Sequence, residues 1–354
     1  MIRIYYPKDH YIKKHRGELF PLLKAFIKGT SFTDLDRIAM YGVTEKDYQF
    51  VDNIAQSDIA ILTMSWNYYQ RTKQLFLAED FIKEAEKFHK KVFTHTTGDF
   101  GVTIPYFKYC IVLRPNGYVS KLPSNHVGIP IFIEDPLKNN KFETKPLFET
   151  NIDTPLIGFC GQTNASLLNA LKEIGRVCAR NLKFYLKLSI NSPQKIMSSS
   201  YFRGQTLKII KKSSLLNNNF IERKKYRAGV RTSEERAKTT QDFYENIYNA
   251  MYTVCVRGGG NFSVRLYETL AMGRIPIFVN TDCLMPLSHV TNWKNHLVWV
   301  EENELNTLPE KIVEFHRKYS FREKELRMKQ NRLLWEKKLS FDGYFKTLFE
   351  SNKE

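Results

Sequence analysis

Short apolar runs, each bounded by polar residues, alternate along the chain with longer stretches whose apolar positions recur at helical spacing. Ile2–Tyr6 (IRIYY) predicts a first strand, and Ser57–Trp66 (SDIAILTMSW) has the continuous apolar centre of a strand buried on both faces. Arg71–Lys91 then places Leu75, Leu77, Phe81, Ile82, Ala85 and Phe88 on one helical face, and Lys91–His95 (KVFTH) returns to strand. This succession predicts a βαβ unit, with CIVLRP and GIPIFIE (Gly128–Glu134) as two further strands.

Around Leu137–Thr150 the chain turns polar, which predicts a linker. A second alternation follows. Thr154–Gly161 is a predicted strand, about Ala165–Arg180 a helix, and Lys183–Ser189 (KFYLKLS) a strand. Thr232–Ala250 is a helix with Ser233 as its capping-type start, and MYTVCV and HLVWV are strands on either side of the stretch Cys255–Asn280. Asn303–Phe349 reads as mostly helical and strongly charged. With 354 residues, the chain is long enough for two α/β domains, placed at 1–150 and 151–330. Ligands of open α/β sheets bind at the carboxyl ends of the strands, so the cleft between the halves is the natural site.

Charge changes this picture most. Lys plus Arg number 54 against 37 acids, a formal net charge of +17. That field favours phosphorylated small molecules, anionic lipid headgroups or nucleic acid, or serves only solubility. No nucleic-acid-binding motif is present and the basic residues are spread along the chain, so nucleic acid is not the expected partner. No apolar run reaches the roughly 18 residues that span a membrane, and the N-terminus has no apolar signal core. The five cysteines are scattered without CxxC spacing, which together with the missing leader predicts a cytoplasmic chain with reduced thiols and no metal cluster.

The stretch CVRGGGNFSVRLYETLAMGRIPIFVN (Cys255–Asn280) carries the candidate chemistry. Arg257 sits at the carboxyl edge of a strand, and Gly258, Gly259 and Gly260 allow positive φ and close approach of a ligand. A helix begins near Ser263, and its free N–H groups form an anion site. Arg265 lies in that first turn, where a cation is ordinarily disfavoured unless it grips an anion such as phosphate. Glu268, on the same face, is placed to accept hydrogen bonds from ribose hydroxyls. The bland alternative is a turn followed by an exposed Arg–Glu pair. The pattern is neither GxxxxGK[ST] nor a complete GxGxxG.

Tyr252–Val300 closely resembles the C-terminal signature of exostosin-type glycosyltransferases. Arg257-Gly258 matches its arginine-glycine, with Val256 in place of proline, and Ser263, Arg265 and Glu268 match its Ser-x-Arg-x-x-Glu core. Gly273, Pro276, Ile277, Pro286 and Asn292–Trp293 also fall in place, whereas Thr269 and Arg274 depart from the usual alanine and cysteine. Weaker resemblances lie at Ala55–Tyr69, Lys91–Gly101 and Asn125–Pro130. The resemblance implies a GT-B architecture, two Rossmann-like domains with residues 331–354 returning as a C-terminal helix to the first. It implies a metal-independent inverting transferase without a resident cofactor. Its donor would be a nucleotide-sugar, UDP-linked by resemblance, and its acceptor a glycan or lipid-linked glycan in cell-surface polysaccharide synthesis. A chain lacking an anchor and carrying this charge would rest peripherally on an anionic membrane. A retaining GT-B enzyme, or a basic nucleic-acid- or membrane-binding protein without activity, are the alternatives.

Inverting transfer needs a base for the acceptor hydroxyl and positive charge for the departing diphosphate. Arg257 and Arg265 are the candidates for the charge. Arg231, in YRAGVRT, is a third, and reads equally well as an exposed basic loop. Asp99, between Gly98 and Gly101 after the strand Val92–Thr94, is the first candidate base, with His95 second and His126 third. Asp34-Leu35-Asp36 has no preceding apolar strand and reads as a helix start. Trp66, Tyr68 and Tyr69 read as packing in preference to an acceptor platform.

Overall fold

The computed structural model describes residues 1–29, 31–139, 142, 146–150 and 153–352. Its first sheet is formed by β1 (Ile2–Tyr5), β2 (Tyr48–Phe50), β3 (Ile59–Ile61), β4 (Val92–His95), β5 (Cys110–Arg114) and β6 (His126–Gly128), in the order β2-β1-β3-β4-β5-β6. The second contains β7 (Leu156–Gln162), β8 (Asn217–Arg223), β9 (Tyr252–Cys255), β10 (Ile275–Asn280) and β11 (Val298–Glu301), in the order β11-β10-β9-β7-β8. Every registered pair in both sheets is parallel. Parallel pairing requires a crossover between neighbours and covers both faces, so inner strands such as Ile59–Ile61 are apolar without alternation and fully buried. Two parallel α/β domains thus face a common cleft, the arrangement that the resemblance implies.

The expected elements recur with four corrections. Lys183–Ser189 is not a strand: the helix runs Leu167–Tyr185 and ends in a left-handed Lys187, leaving Leu186 and Leu188 in solvent. The missing strand is β8, whose sequence NNNFIER has no apolar run because it is the half-exposed edge of its sheet. GIPIFIE keeps only Gly128 in β6, since the chain then leaves the first sheet at Pro130, which has no N–H to donate. The cap of the helix Ser233–Asn249 is Thr232, whose side chain accepts from the Glu235 amide in a capping box. The predicted linker 137–150 lies partly outside the described residues. Asp34-Leu35-Asp36 begins a helix whose Thr33 cap is closed by Asp36, and Trp66, Tyr68 and Tyr69 are buried.

Two features tie the halves together. The helix Phe341–Glu350 buries Tyr344, Phe345, Leu348 and Phe349 in the core of the first half, although it follows the second half in sequence. Tyr344 donates its hydroxyl hydrogen to the Gly128 carbonyl at 2.8 Å. Gly128 also touches the second half, where an added Cβ would stand 2.7 Å from the Met285 carbonyl carbon. Beside this contact, Arg332 makes a two-pronged ion pair with Asp135, at 2.8 and 2.5 Å. Gly128→Ala should therefore force backbone apart along the seam and cost about 1–3 kcal/mol. Denaturant midpoints will check this against Gly175→Ala, where nothing lies within 4 Å and a helical alanine should stabilise by about 0.5–1 kcal/mol.

Candidate functional site

A cleft of about 730 Å³ opens at the carboxyl ends of β7 and β9. Gly258, Gly259, Gly260, Ser263, Arg265 and Glu268 line it from the second half, and Asp99 lines it from the first. The sequence candidates thus meet in one place, with four exceptions described below.

Arg265 extends from the first turn of the helix Val264–Ala271 back across the sheet edge. Its Nη2 donates to the Cys160 carbonyl at 2.8 Å and its Nη1 to the Val254 carbonyl at 3.4 Å, while Nε has no partner. The guanidinium lies over Phe159 at 4.3 Å and faces Phe243 at 5.6 Å. Gly161 makes room for it, since a Cβ there would stand 2.5 Å from Nη2. Burial lowers the Arg265 pKa from its ordinary value, with Cys255 and Glu268 acting in the opposite direction.

Arg203, from the helix Ser199–Lys212, completes a pair that the sequence reading missed. Its Nη1 donates to the Gln162 carbonyl at 2.6 Å and its Nη2 to the Arg257 carbonyl at 3.0 Å. Burial, then the charge of Arg265, pushes it down to about 10. Among the described residues, neither Arg203 nor Arg265 has a carboxylate within ion-pair range. Arg223, also in the cleft, differs: Asp242 neutralises it at 3.2 Å. Arg203 lies in the second turn of its helix, not in the first as Arg265 does, so the helix-start signal of Arg265 does not extend to it. The segment Thr206–Arg231 is mostly helix and β8, and contributes Arg223 to the cleft.

The four exceptions are Arg257, Arg231, His95 and His126. Arg257 is 2% exposed and its side chain turns into the seam, where Nη1 donates to the Tyr118 hydroxyl at 2.9 Å. Its carbonyl serves the cleft by holding Arg203, and its Nη2 donates at 3.4 Å to the carbonyl of Gly259, which lines the cleft. Arg231 stays exposed on the turn before the helix Ser233–Asn249. His95 and His126 are buried. Among the described residues neither ring nitrogen of His95 has a hydrogen-bond partner, and Phe20 packs edge-on against the ring at 5.4 Å.

Asp99 remains exposed at the cleft. Gly98 and Gly101 flank it at φ of 79° and 65°, as the tight loop requires. Asn116 donates to the Gly98 carbonyl at 2.8 Å, and Arg114 Nε donates to the Asn116 carbonyl at 2.7 Å, so a buried pair behind the loop holds it. The Asp99 backbone reaches Gly260 so closely that a Cβ there would stand 2.3 Å from the Asp99 carbonyl oxygen. None of Gly258, Gly259 and Gly260 has positive φ. The expected conformational role is corrected to a spatial one: the first two leave backbone open to the cleft, and the third lets the halves touch.

A second cavity, about 770 Å³, is lined by Asp282, Met285, Asn292 and Trp293 and contains no arginine. Trp293 Nε1 donates to the Pro286 carbonyl at 2.9 Å, which gives these motif residues a packing role.

No family model matches the chain. Among curated proteins, the rice "Probable glucuronosyltransferase GUT1" is 31% identical over 68 residues, 19% of this chain and 16% of that protein. The Arabidopsis thaliana "Probable beta-1,4-xylosyltransferase IRX10L" is 26% identical over 78 residues, 20% of this chain and 19% of its own length. Exostosin-family glycosyltransferases are thus among the curated proteins this chain resembles, over about a fifth of its length. The chain spans less than a fifth of the length of each. A solved structure of S. aureus TarM with fondaparinux, α-GlcNAc-glycerol and UDP overlaps 83% of this chain and 55% of TarM, at 9% identity and a TM-score of 0.34.

The buried histidines generate a pH dependence. Burial, then Lys24, pushes His95 down to about 3, while burial, then Arg114, pushes His126 down to about 4. Both bases are neutral in the fold and take up protons on unfolding, so the unfolded state binds more protons below its ordinary histidine pKa of about 6.5. Stability should fall as pH drops from 6.5 toward 4. Urea midpoints at successive pH values should show a slope that His126→Asn reduces by about one proton.

Proposed function

We propose that the chain is a glycosyltransferase that moves a sugar from a nucleoside-diphosphate donor to an acceptor hydroxyl, with inversion and without a metal. The observation that carries this reading is the pair Arg203 and Arg265. These are two guanidiniums fixed by backbone carbonyls, with no carboxylate in ion-pair contact among the described residues and with Glu173 and Glu268 acting on them only from beyond that range; the exposed carboxylate of Asp99 also lines the cleft. Such a cleft favours an anion with two charged groups, and a diphosphate fits that description. In the transfer, Asp99 accepts the proton of the acceptor hydroxyl as its oxygen bonds to the anomeric carbon. The bond from that carbon to the diphosphate oxygen breaks, and its electron pair leaves with the phosphate. Arg203, Arg265 and the first-turn amides after Ser263 stabilise that developing charge. Glu268 is assigned to ribose hydroxyls, and the ring of Phe243 offers the base a flat face. The names of the curated relatives support a sugar-nucleotide donor, with UDP as the first candidate.

Calorimetric titration with UDP, GDP, CDP and TDP in EDTA tests the cradle. One diphosphate should bind saturably, and Arg265→Ala or Arg203→Ala should each weaken it by about tenfold to a hundredfold. Asp99→Asn should leave that affinity unchanged and lower turnover by about 10²–10⁴. With an α-linked donor, the product resolved by NMR should be the β-anomer. A folded protein that binds no diphosphate would overturn the reading, and a retained anomer would remove Asp99 as the base.

A further inference from the structure

The helix Leu167–Tyr185 buries only Ala170 fully. Leu168 and Leu171 near its start and Leu182 and Tyr185 near its end share one face, with Gly175 and Cys178 between the two pairs, and the four are between 57% and 73% exposed. Leu186 and Leu188 prolong the apolar face beyond the helix end and are exposed as well. Single exposed leucines are ordinary, but two apolar pairs on the same face of one helix mark an interaction surface.

Charge identifies what covers it. Lys172, Arg176 and Lys183 are exposed in a row along one edge of this face. The helix has one acid, Glu173, which is turned inward to accept from the hydroxyls of Ser198 and Ser200, each at 2.6 Å. The face offered to solvent is therefore apolar and cationic, with Glu173 reaching only Arg176 among its basic residues, the pattern of helices that lie in a lipid interface. No described helix is long and apolar enough to cross a membrane. We propose that this helix docks the protein flat on an anionic lipid surface, its leucines entering the acyl boundary and its basic edge meeting the headgroups. The guanidinium of Arg180, on the inward side, lies over the ring of Phe100 at 3.8 Å, one residue from Asp99. Docking would thus hold the cleft beside the lipid, within reach of a lipid-borne acceptor. The proposal stands on the helix alone and survives failure of the transferase reading.

Co-sedimentation of the full chain with phosphatidylcholine vesicles, with and without phosphatidylglycerol, tests it. The chain should bind the anionic vesicles and not the neutral ones. A variant with Leu168→Ser, Leu171→Ser and Leu182→Ser should bind at least about tenfold more weakly. A second, with Lys172→Glu, Arg176→Glu and Lys183→Glu, should lose binding to a similar extent together with its salt dependence. All six positions are exposed, and circular dichroism will confirm that both variants remain folded. Absence of binding by the unmodified chain overturns the proposal, as does equal binding by all three proteins. Self-association in sedimentation that the serine variant abolishes, without vesicle binding, would assign the face to a second copy of the chain instead.

Discussion

A guanidinium taken out of water must be compensated, and at Arg203 and Arg265 backbone carbonyls do this in place of carboxylates. The carbonyls belong to Cys160 and Gln162 at the end of β7, Val254 in β9 and Arg257 just beyond it. In a parallel sheet all strands end on one edge, so their last carbonyls gather there with no special sequence requirement. The topology therefore builds the acceptor side of a cation site, and side chains need only supply the cations. Carbonyl oxygens satisfy the terminal nitrogens, though not Nε of either arginine, and leave the net charge in place. Arg203 is depressed in part by Arg265, so the site is poised for an anion. Gly161 belongs to the same constraint, because any side chain there would displace Arg265 from its carbonyl.

The opposing wall depends on a different set of contacts. Arg257 holds Tyr118, and Asn261 donates to the carbonyls of Gly117 and Thr281 at 2.8 and 3.0 Å, all within the seam. Arg114 and Asn116 then pin the loop that carries Asp99. The loop carrying Arg257 and the glycines thus has two faces: one bounds the anion site, and the other fixes the distance at which the first half stands from it.

Much of this was legible in the residues. Buried parallel strands such as β3, β4 and β9 announce themselves by unbroken apolar runs, and Arg265 by its conflict with a helix N-terminus. Edge strand β8 did not, because its polar sequence satisfies an exposed position and carries no periodic signal. Lys183–Ser189 misled for the opposite reason. Its apolar residues mimic a strand but belong to a helix end and a turn that face solvent. The roles of Arg257 and His95 were beyond sequence reasoning, since the direction of a side chain at a strand end depends on what the other half places against it. Arg203 carried no helix-start signal, because it lies in the second turn of its helix, beyond the first-turn amides.

The helix Phe341–Glu350 has a consequence for the order of assembly. The first sheet is complete in sequence by Gly128, yet four of the aromatic and aliphatic side chains that fill its core arrive more than two hundred residues later. A chain made from its amino end forward holds that sheet with an open apolar face throughout synthesis of the second half. The first half is thus begun first and closed last. In the interval, its incomplete core is the surface on which a folding helper, or a misassembled neighbour, would find purchase.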